Sequence, residues 1–268
     1  MSPVKLLLMD LDDTLLGRDG AISPANRAAL AAAMARGVRV TLASGRMFRS
    51  MRPYAEEIDV PATLPVIAYN GALGRSLDGT TIWHEPLPNP TARALLSFLA
   101  GRDLTVHLFL DDRLYVKEID ERVRLYMANS RVEAEPVGDL TAFLGNGCPT
   151  KILNMGDPAY LRRLQAELTS AFGARVESTF SRPYFLEIMA PGISKAAGLR
   201  RLAGHLGVAL EETMAIGDGP NDLGMLLEAG IGVAVGNAPP EVLARAPYTT
   251  GPSDRDGVAE AIRRFVIG

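Results

Sequence analysis

The sequence predicts an α/β protein: a Rossmann-like, doubly wound parallel sheet core with a smaller α+β domain inserted into it. Three observations carry that prediction. Short uninterrupted apolar runs alternate with helix-forming segments over the first 72 residues, the alternation breaks over residues 84–188, and it resumes from Ser194. Such runs, bounded by turn residues, are the pattern of strands buried on both faces, and strands alternating with helices imply parallel pairing.

The elements follow in order. Val4 to Met9 is the first buried strand. Ser23-Pro24 then opens a helix, with the serine as N-cap and the proline in the first turn, where its missing N–H is no loss; Gly37 closes it. Val38 to Ala43 is the second strand. It ends in Ser44-Gly45-Arg46, and Met47 to Ile58 reads as a helix with Pro53 as a local distortion. A third strand within Pro65–Ala72 stops at Asn70-Gly71, and the segment after it patterns as a hairpin turning at Asp78-Gly79.

Glu85 to Pro90 is proline-rich and reads as a linker. Beyond it come a helix (Thr91 to Ala100), a strand (Thr105 to Leu110) and a turn at Asp111-Asp112-Arg113. A strand and a helix follow, then a strand in Thr150–Gly156, a helix opening at Asp157-Pro158, and strands in Ala174–Thr179 and Tyr184–Met189. This block has the composition of a separate domain. The expected division is 1–83 with 189–268 for the discontinuous core, and 84–188 for the insert. In the returning α/β part, Ser194 begins a helix ending near Gly207, Thr213–Gly217 is a strand running into an acidic glycine-rich loop, another strand opens at Ile231, and Asp256–Val266 is an amphipathic helix.

The 268 residues suffice for two domains with sizeable cores. Acids outnumber bases 31 to 28, so no cationic surplus points to nucleic acid or an anionic membrane. The single cysteine, Cys148, excludes an internal disulfide framework and fits a reducing compartment. No apolar run has the length of a membrane span, and Asp10 cuts the first one too short for a signal peptide. The expected location is the cytoplasm. Oligomeric state is not encoded in any of these features.

Every candidate functional group of the core follows a strand pattern at its C-terminal end. Asp10 and Asp12 follow the first, Ser44, Gly45 and Arg46 the second, Asn70 the third, and Asp218, Asn221 and Asp222 the strand Thr213–Gly217. In open parallel sheets ligands bind in the crevice beyond those ends. Asp10 and Asp218 facing each other at low dielectric would repel, and both stay ionised only with a cation between them. An oxygen-only ligand set with room for waters favours Mg²⁺. Taken alone, "DLDDT" reads equally as a loop-and-cap cluster, and "GDGPND" as a turn. Together at strand ends, with Lys195 between them in sequence, they point to a site.

The stretches "DLDDTLL", "SGR", "SKAAGL" and "GDGPND" resemble, in order, the four motifs of the haloacid dehalogenase-like phosphohydrolases, and the insert together with Asn70-Gly71-Ala72 resembles the Cof-type subgroup, in which a large α/β cap is inserted. The resemblance spans nearly the whole chain. Pro220 and Ala196 depart from residues common at those positions. The resemblance implies that Asp10 attacks phosphorus and that Asp12 is the acid–base group, with a pKa raised relative to Asp10. It implies that Asp10, Asp12 and Asp218 hold Mg²⁺, and that Leu11, Ser44, Gly45, Lys195 and Asn221 hold phosphate. Thr14 and Asp222 would support them, while Arg46 and Asn70 are possible substrate contacts. Thr14 reads equally well as a loop-to-helix cap, Ser44 as a helix N-cap, and Lys195 as a solvated first-turn lysine. Asp13 reads as structural.

The function so implied is a Mg²⁺-dependent phosphatase that hydrolyses small phosphorylated metabolites, sugar phosphates first, through an aspartyl phosphate, with the cap selecting the substrate. A phosphomutase on the same scaffold and a non-catalytic phosphometabolite-binding protein are the alternatives. Other phosphate chemistries fail on the letters. The cysteine-phosphatase spacing from Cys148 meets Asn154 instead of arginine, no Walker-type loop occurs, and Asp222 stands where a dinucleotide-binding loop needs its third glycine. His84, His107 and His205 lack zinc spacing and read as surface or core residues, and Trp83 as a packing residue.

Overall fold

The structure is a computed structural model that describes residues 3–268. Its strands, in chain order, are β1 (Leu6–Met9), β2 (Arg39–Leu42), β3 (Pro65–Ala68), β4 (Leu73–Ser76), β5 (Thr81–His84), β6 (Thr105–Leu110), β7 (Arg113–Val116), β8 (Ala134–Pro136), β9 (Lys151–Met155), β10 (Glu177–Arg182), β11 (Phe185–Met189), β12 (Thr213–Gly217), β13 (Ile231–Ala234) and β14 (Tyr248–Thr249). They fall in two compact units. One holds the residues through Gly45, Met51–Trp83 and Ser194–Gly268; the other holds Arg46–Ser50 and His84–Ile193.

Two boundaries differ from the sequence reading. The return crossing lies at Ile193–Ser194 rather than after residue 188, because β11 runs through Met189 as part of the second unit's sheet and Ile193 N–H then closes a turn onto Ala190 O. Arg46–Ser50 groups with the second unit. There Arg49 N–H donates to Asp112 Oδ2 at 3.0 Å, and the Arg46 guanidinium donates to Ser130 O.

The first unit is built on a parallel sheet of order β14-β13-β12-β1-β2. Its central strands are buried along their whole length, which is why they read as unbroken apolar runs. β3 extends this sheet through a single parallel bridge, Ala43 to Ile67, reinforced by Thr41 Oγ1 donating to Pro65 O at 2.7 Å and Ser44 N–H to Ile67 O at 2.9 Å. β3 also pairs antiparallel with β4, which continues the sheet to β5 through the turn at Asp78-Gly79. Helices Pro24–Ala35 and Lys195–Leu206 start where the sequence places them. Ser23 Oγ accepts from Asn26 N–H, and Ser194 Oγ from Ala197 N–H. Trp83 is a packing residue: its ring lies against Gly74, where an added Cβ would come within 2.5 Å of it, and its Nε1 donates to Gly71 O.

The second unit is α+β. Its sheet has the order β10-β11-β9-β6-β7-β8, antiparallel except for β7 with β8. Leu108, Ile152, Leu186 and Ile188 from its strands form one core with Leu95, Leu96, Leu161, Leu164 and Leu168 from helices Asn89–Leu99 and Pro158–Phe172. Each such leucine contributes about 1.5–3 kcal/mol by burial. No helix of the described residues is long and apolar enough to cross a membrane.

Candidate active site

The site forms at the C-terminal ends of the parallel strands in the first unit. Asp10 is the residue after β1, and its N–H donates to Ile216 O of β12 at 2.9 Å. The chain then makes a tight turn, Leu11–Leu15, closed by Leu16 N–H onto Leu11 O. Within it Asp12 is extended (φ −71°, ψ 128°) and Asp13 is left-handed (φ 58°, ψ 9°). A left-handed non-glycine residue is sparsely populated, and aspartate is among the side chains that tolerate it best. That reversal separates Asp12 from Thr14, whose buried hydroxyl donates to Asp218 Oδ1 at 2.8 Å.

Lys195, the first residue of its helix, is 1% exposed and is paired twice. Its Nζ lies 2.5 Å from Asp10 Oδ1 and 2.5 Å from Asp222 Oδ1. It is therefore not a solvated first-turn lysine. Burial alone would favour its neutral form, but the two carboxylates more than offset this and raise its pKa. The other oxygen of Asp222 accepts the N–H groups of Asp218 (3.0 Å) and Gly219 (2.8 Å), so this one side chain fixes both the lysine and the acidic loop. The loop needs glycine at 217, because a Cβ there would come within 2.6 Å of the Asp222 side chain. Pro220 fits the loop without disturbing it: Asp222 N–H still reaches Gly219 O, and Leu223 N–H reaches Pro220 O. The Cβ of Ala196 lies against Gly224.

Asp10, Asp218 and Asp222 each place a carboxylate oxygen within 4.8 Å of the others. Three carboxylates against one ammonium leave the cluster short of positive charge. Burial first, then repulsion from Asp222, Asp218 and Asp12, hold Asp10 well above the ordinary carboxylate range despite Lys195. Burial and Asp222 push Asp218 up to about 7. A hard oxygen donor set with a deficit of positive charge fits a divalent cation such as Mg²⁺. The side chain of Asp12, an expected ligand, is not among these three, whereas Asp222, expected in a supporting place, is. Asp12 lies three residues beyond the strand, on the turn, and Asp222 is drawn in by its bonds to Lys195 and the Asp218 loop.

Ser44 and Asn70 are buried and joined through the backbone, Asn70 N–H donating to Ser44 O at 2.9 Å. Ser44 is not a helix N-cap, since the next helix begins at Phe48. Asn221 Nδ2 donates to Asn70 Oδ1 at 3.1 Å, so those two asparagines from separate strand ends meet. Asn70 sits in a left-handed run of Tyr69, Asn70 and Gly71. At Gly71 (φ +107°) a Cβ would lie 2.3 Å from Ser194 O, so only glycine lets this loop approach the residue before Lys195. Gly45 follows Ser44 after β2, and Arg46 groups with the second unit, where its guanidinium donates to Ser130 O. One residue at the site went unread in the sequence: Asn237, just past β13, whose Nδ2 donates to Asp13 O at 2.7 Å. Its position beyond a strand's C-terminal end, the same placement as the other candidates, was the available signal.

Comparison with known proteins gives the family. The family model for haloacid dehalogenase-like hydrolases matches residues 7–262. The HMP-PP phosphatase of Escherichia coli (strain K12) is 32% identical over 251 residues, covering 91% of this chain and 88% of the relative. A haloacid dehalogenase-like hydrolase from Bacteroides thetaiotaomicron superposes with a TM-score of 0.88 at 32% identity, covering 97% of this chain and 99% of that one. A sugar phosphatase of HAD subclass IIB superposes with a TM-score of 0.86 at 26% identity, covering 98% and 99%.

Proposed function

The chain belongs to the haloacid dehalogenase-like hydrolases, and from that premise we propose that it is a Mg²⁺-dependent phosphatase acting on small phosphorylated metabolites through an aspartyl phosphate. The observation that carries this reading is the buried ammonium of Lys195 shared by Asp10 and Asp222, with the Asp218 carboxylate beside them. Asp10, Asp218 and Asp222 would hold the cation. When bound, it supplies the positive charge the cluster lacks and offsets charge on the phosphoryl oxygens.

The chain's own residues do the rest. An Asp10 oxygen bonds to phosphorus as the bond from phosphorus to the leaving oxygen breaks, and Asp12 gives that oxygen its proton. Asp12 then takes a proton from water. The water oxygen bonds to phosphorus, the bond from phosphorus to the Asp10 oxygen breaks, and inorganic phosphate leaves with both carboxyl groups restored. Lys195 offsets the charge of Asp10 and of the transferring group. Ser44, the Leu11 and Gly45 backbone and Asn221 offer neutral contacts to the phosphoryl oxygens, with Asn70 steadying Asn221. The second unit, as a cap, selects the leaving group. Sugar phosphates are the first substrates to try, from the subclass IIB relative, and HMP-PP the next.

The test is phosphate release over sugar phosphates, nucleotides and cofactor phosphates, with Mg²⁺ and with chelator. Release from some member of the panel is expected with Mg²⁺ only. Asp10→Asn should lower kcat by about 10⁴-fold or more while the protein stays folded. No release from any member, or an Asp10→Asn variant of near-normal activity, overturns the reading.

A further inference from the structure

Asp12 can serve the leaving oxygen only if the turn that carries it is held, and the turn pivots on Asp13, a left-handed residue with no glycine to ease it. The Asp13 carbonyl is gripped from outside the turn by Asn237 Nδ2 at 2.7 Å. Asn237 is itself oriented: its Oδ1 accepts Ser253 N–H at 2.7 Å. Reversing the amide would set its oxygen against the Asp13 carbonyl and its NH₂ against the Ser253 N–H, so the two partners together fix which end faces Asp13. The backbone around it is also tied, with Gly236 N–H on Gly251 O at 3.0 Å and Ala238 N–H on Val235 O at 2.9 Å. A second asparagine braces the far side of the turn. Buried Asn26 accepts Ala259 N–H at 2.9 Å and directs its Nδ2 to Leu15 O at 3.5 Å.

We infer that Asn237 is a positioning residue for the acid–base step, holding the Asp13 peptide so that Asp12 and Thr14 keep their places on either side of the reversal. The assignment rests on the phosphatase reading above. Fixing the Asp13 carbonyl fixes its ψ and so the direction in which the chain leaves toward Thr14, whose hydroxyl is committed to Asp218. With that carbonyl released, the hold of Asn237 on the Asp13 ψ is lost, and the placement of Asp12 relative to Thr14 loosens. Proton donation to a poor leaving group is the step that suffers. Bond formation by Asp10, which is fixed in the sheet by Ile216, is not.

The test uses the whole enzyme with Mg²⁺ present and two variants. Asn237→Asp keeps the acceptor for Ser253 N–H but replaces the donor to Asp13 with a carboxylate oxygen; Asn237→Ala removes both. kcat/KM, which reports formation of the phosphoenzyme, is measured with the best alkyl phosphomonoester from the release panel and with p-nitrophenyl phosphate, whose leaving group needs no proton. The expected result is a loss of about 10–100-fold on the alkyl ester and at most a few-fold on the aryl ester. Equal losses on the two substrates, or no loss in either variant, overturn the assignment. Failure of both variants to fold makes Asn237 a structural residue and overturns it too. Should the wild-type protein release no phosphate from any substrate, it is the phosphatase reading that falls instead.

Discussion

Two lysines are buried to the same degree in this chain, each 1% exposed, and they keep different company. Lys151, in the second unit, pairs with Glu187: its Oε1 lies 3.1 Å from the Lys151 Nζ, the Ser181 hydroxyl donates to the same oxygen, and the Phe109 ring centroid lies 4.8 Å from the ammonium. Lys195, in the first unit, pairs with two carboxylates while a third stands beside them. No cluster of three carboxylates gathers at Lys151 among the described residues. One does at Lys195, where burial first and then mutual repulsion push Asp10 and Asp218 upward in pKa. Burial of a charge therefore does not mark chemistry here. An excess of like charge that the fold forces together, and that only an outside cation can balance, does.

The comparison can be broken in four places. The largest effect is expected from Lys195→Ala, which should lower kcat about 10³-fold with the secondary structure intact, as read by phosphate release and circular dichroism. Next is Glu187→Gln, which leaves the Lys151 ammonium buried without its carboxylate. It should cost about 3 kcal/mol in denaturant unfolding, with the activity per folded molecule preserved. A large loss of kcat in Glu187→Gln would erase the distinction between the two lysines.

The third concerns His107, which is fully buried in the sheet of the second unit. Burial holds its pKa down to about 4, so the folded protein keeps it neutral. The unfolded chain takes up the proton first, near 6.5. Stability from this residue is thus complete above about pH 6.5 and is lost as pH falls toward 4, by roughly 3 kcal/mol in all. Comparing His107→Gln with wild type at pH 7 and pH 4.5 isolates the contribution, because the variant should lose less stability between the two. The smallest effect concerns Asp218, whose pKa stands near 7 before a cation is bound. A Mg²⁺ ion bound as proposed would displace its proton, so cation affinity should weaken as pH falls below about 7. Calorimetric titration of Mg²⁺ at several pH values measures this, and Asp218→Asn should flatten the profile.

Much of the core was legible in the letters because its physics is local. A strand buried on both faces must be continuously apolar, as Leu6–Met9 and Thr213–Gly217 are. A helix start needs a cap, as at Ser23 and Ser194. The boundary of the insert was less legible: Pro191-Gly192 marks a turn, but a turn alone does not say which unit holds it, and the assignment follows from β11 pairing with β9 and β10 just before it. The left-handed state of Asp13 was also hidden, because aspartate is compatible with several backbone conformations.

The sequence by itself determined which side chains stand at the ends of the parallel strands: the number and order of apolar runs settle that, and with it the presence of Asp10, Asp218 and Asp222 at one end of one sheet. Only the tertiary structure decided their pairing. It put Asp222 rather than the Asp12 side chain into the acidic cluster, gave Lys195 two partners, and brought Asn237 onto the Asp13 carbonyl. The reason is that a residue's place along a strand is set by neighbours in sequence. The distance between two carboxylates is set by strand order and by turns whose ends are more than 200 residues apart, as Thr14 and Asp218 are.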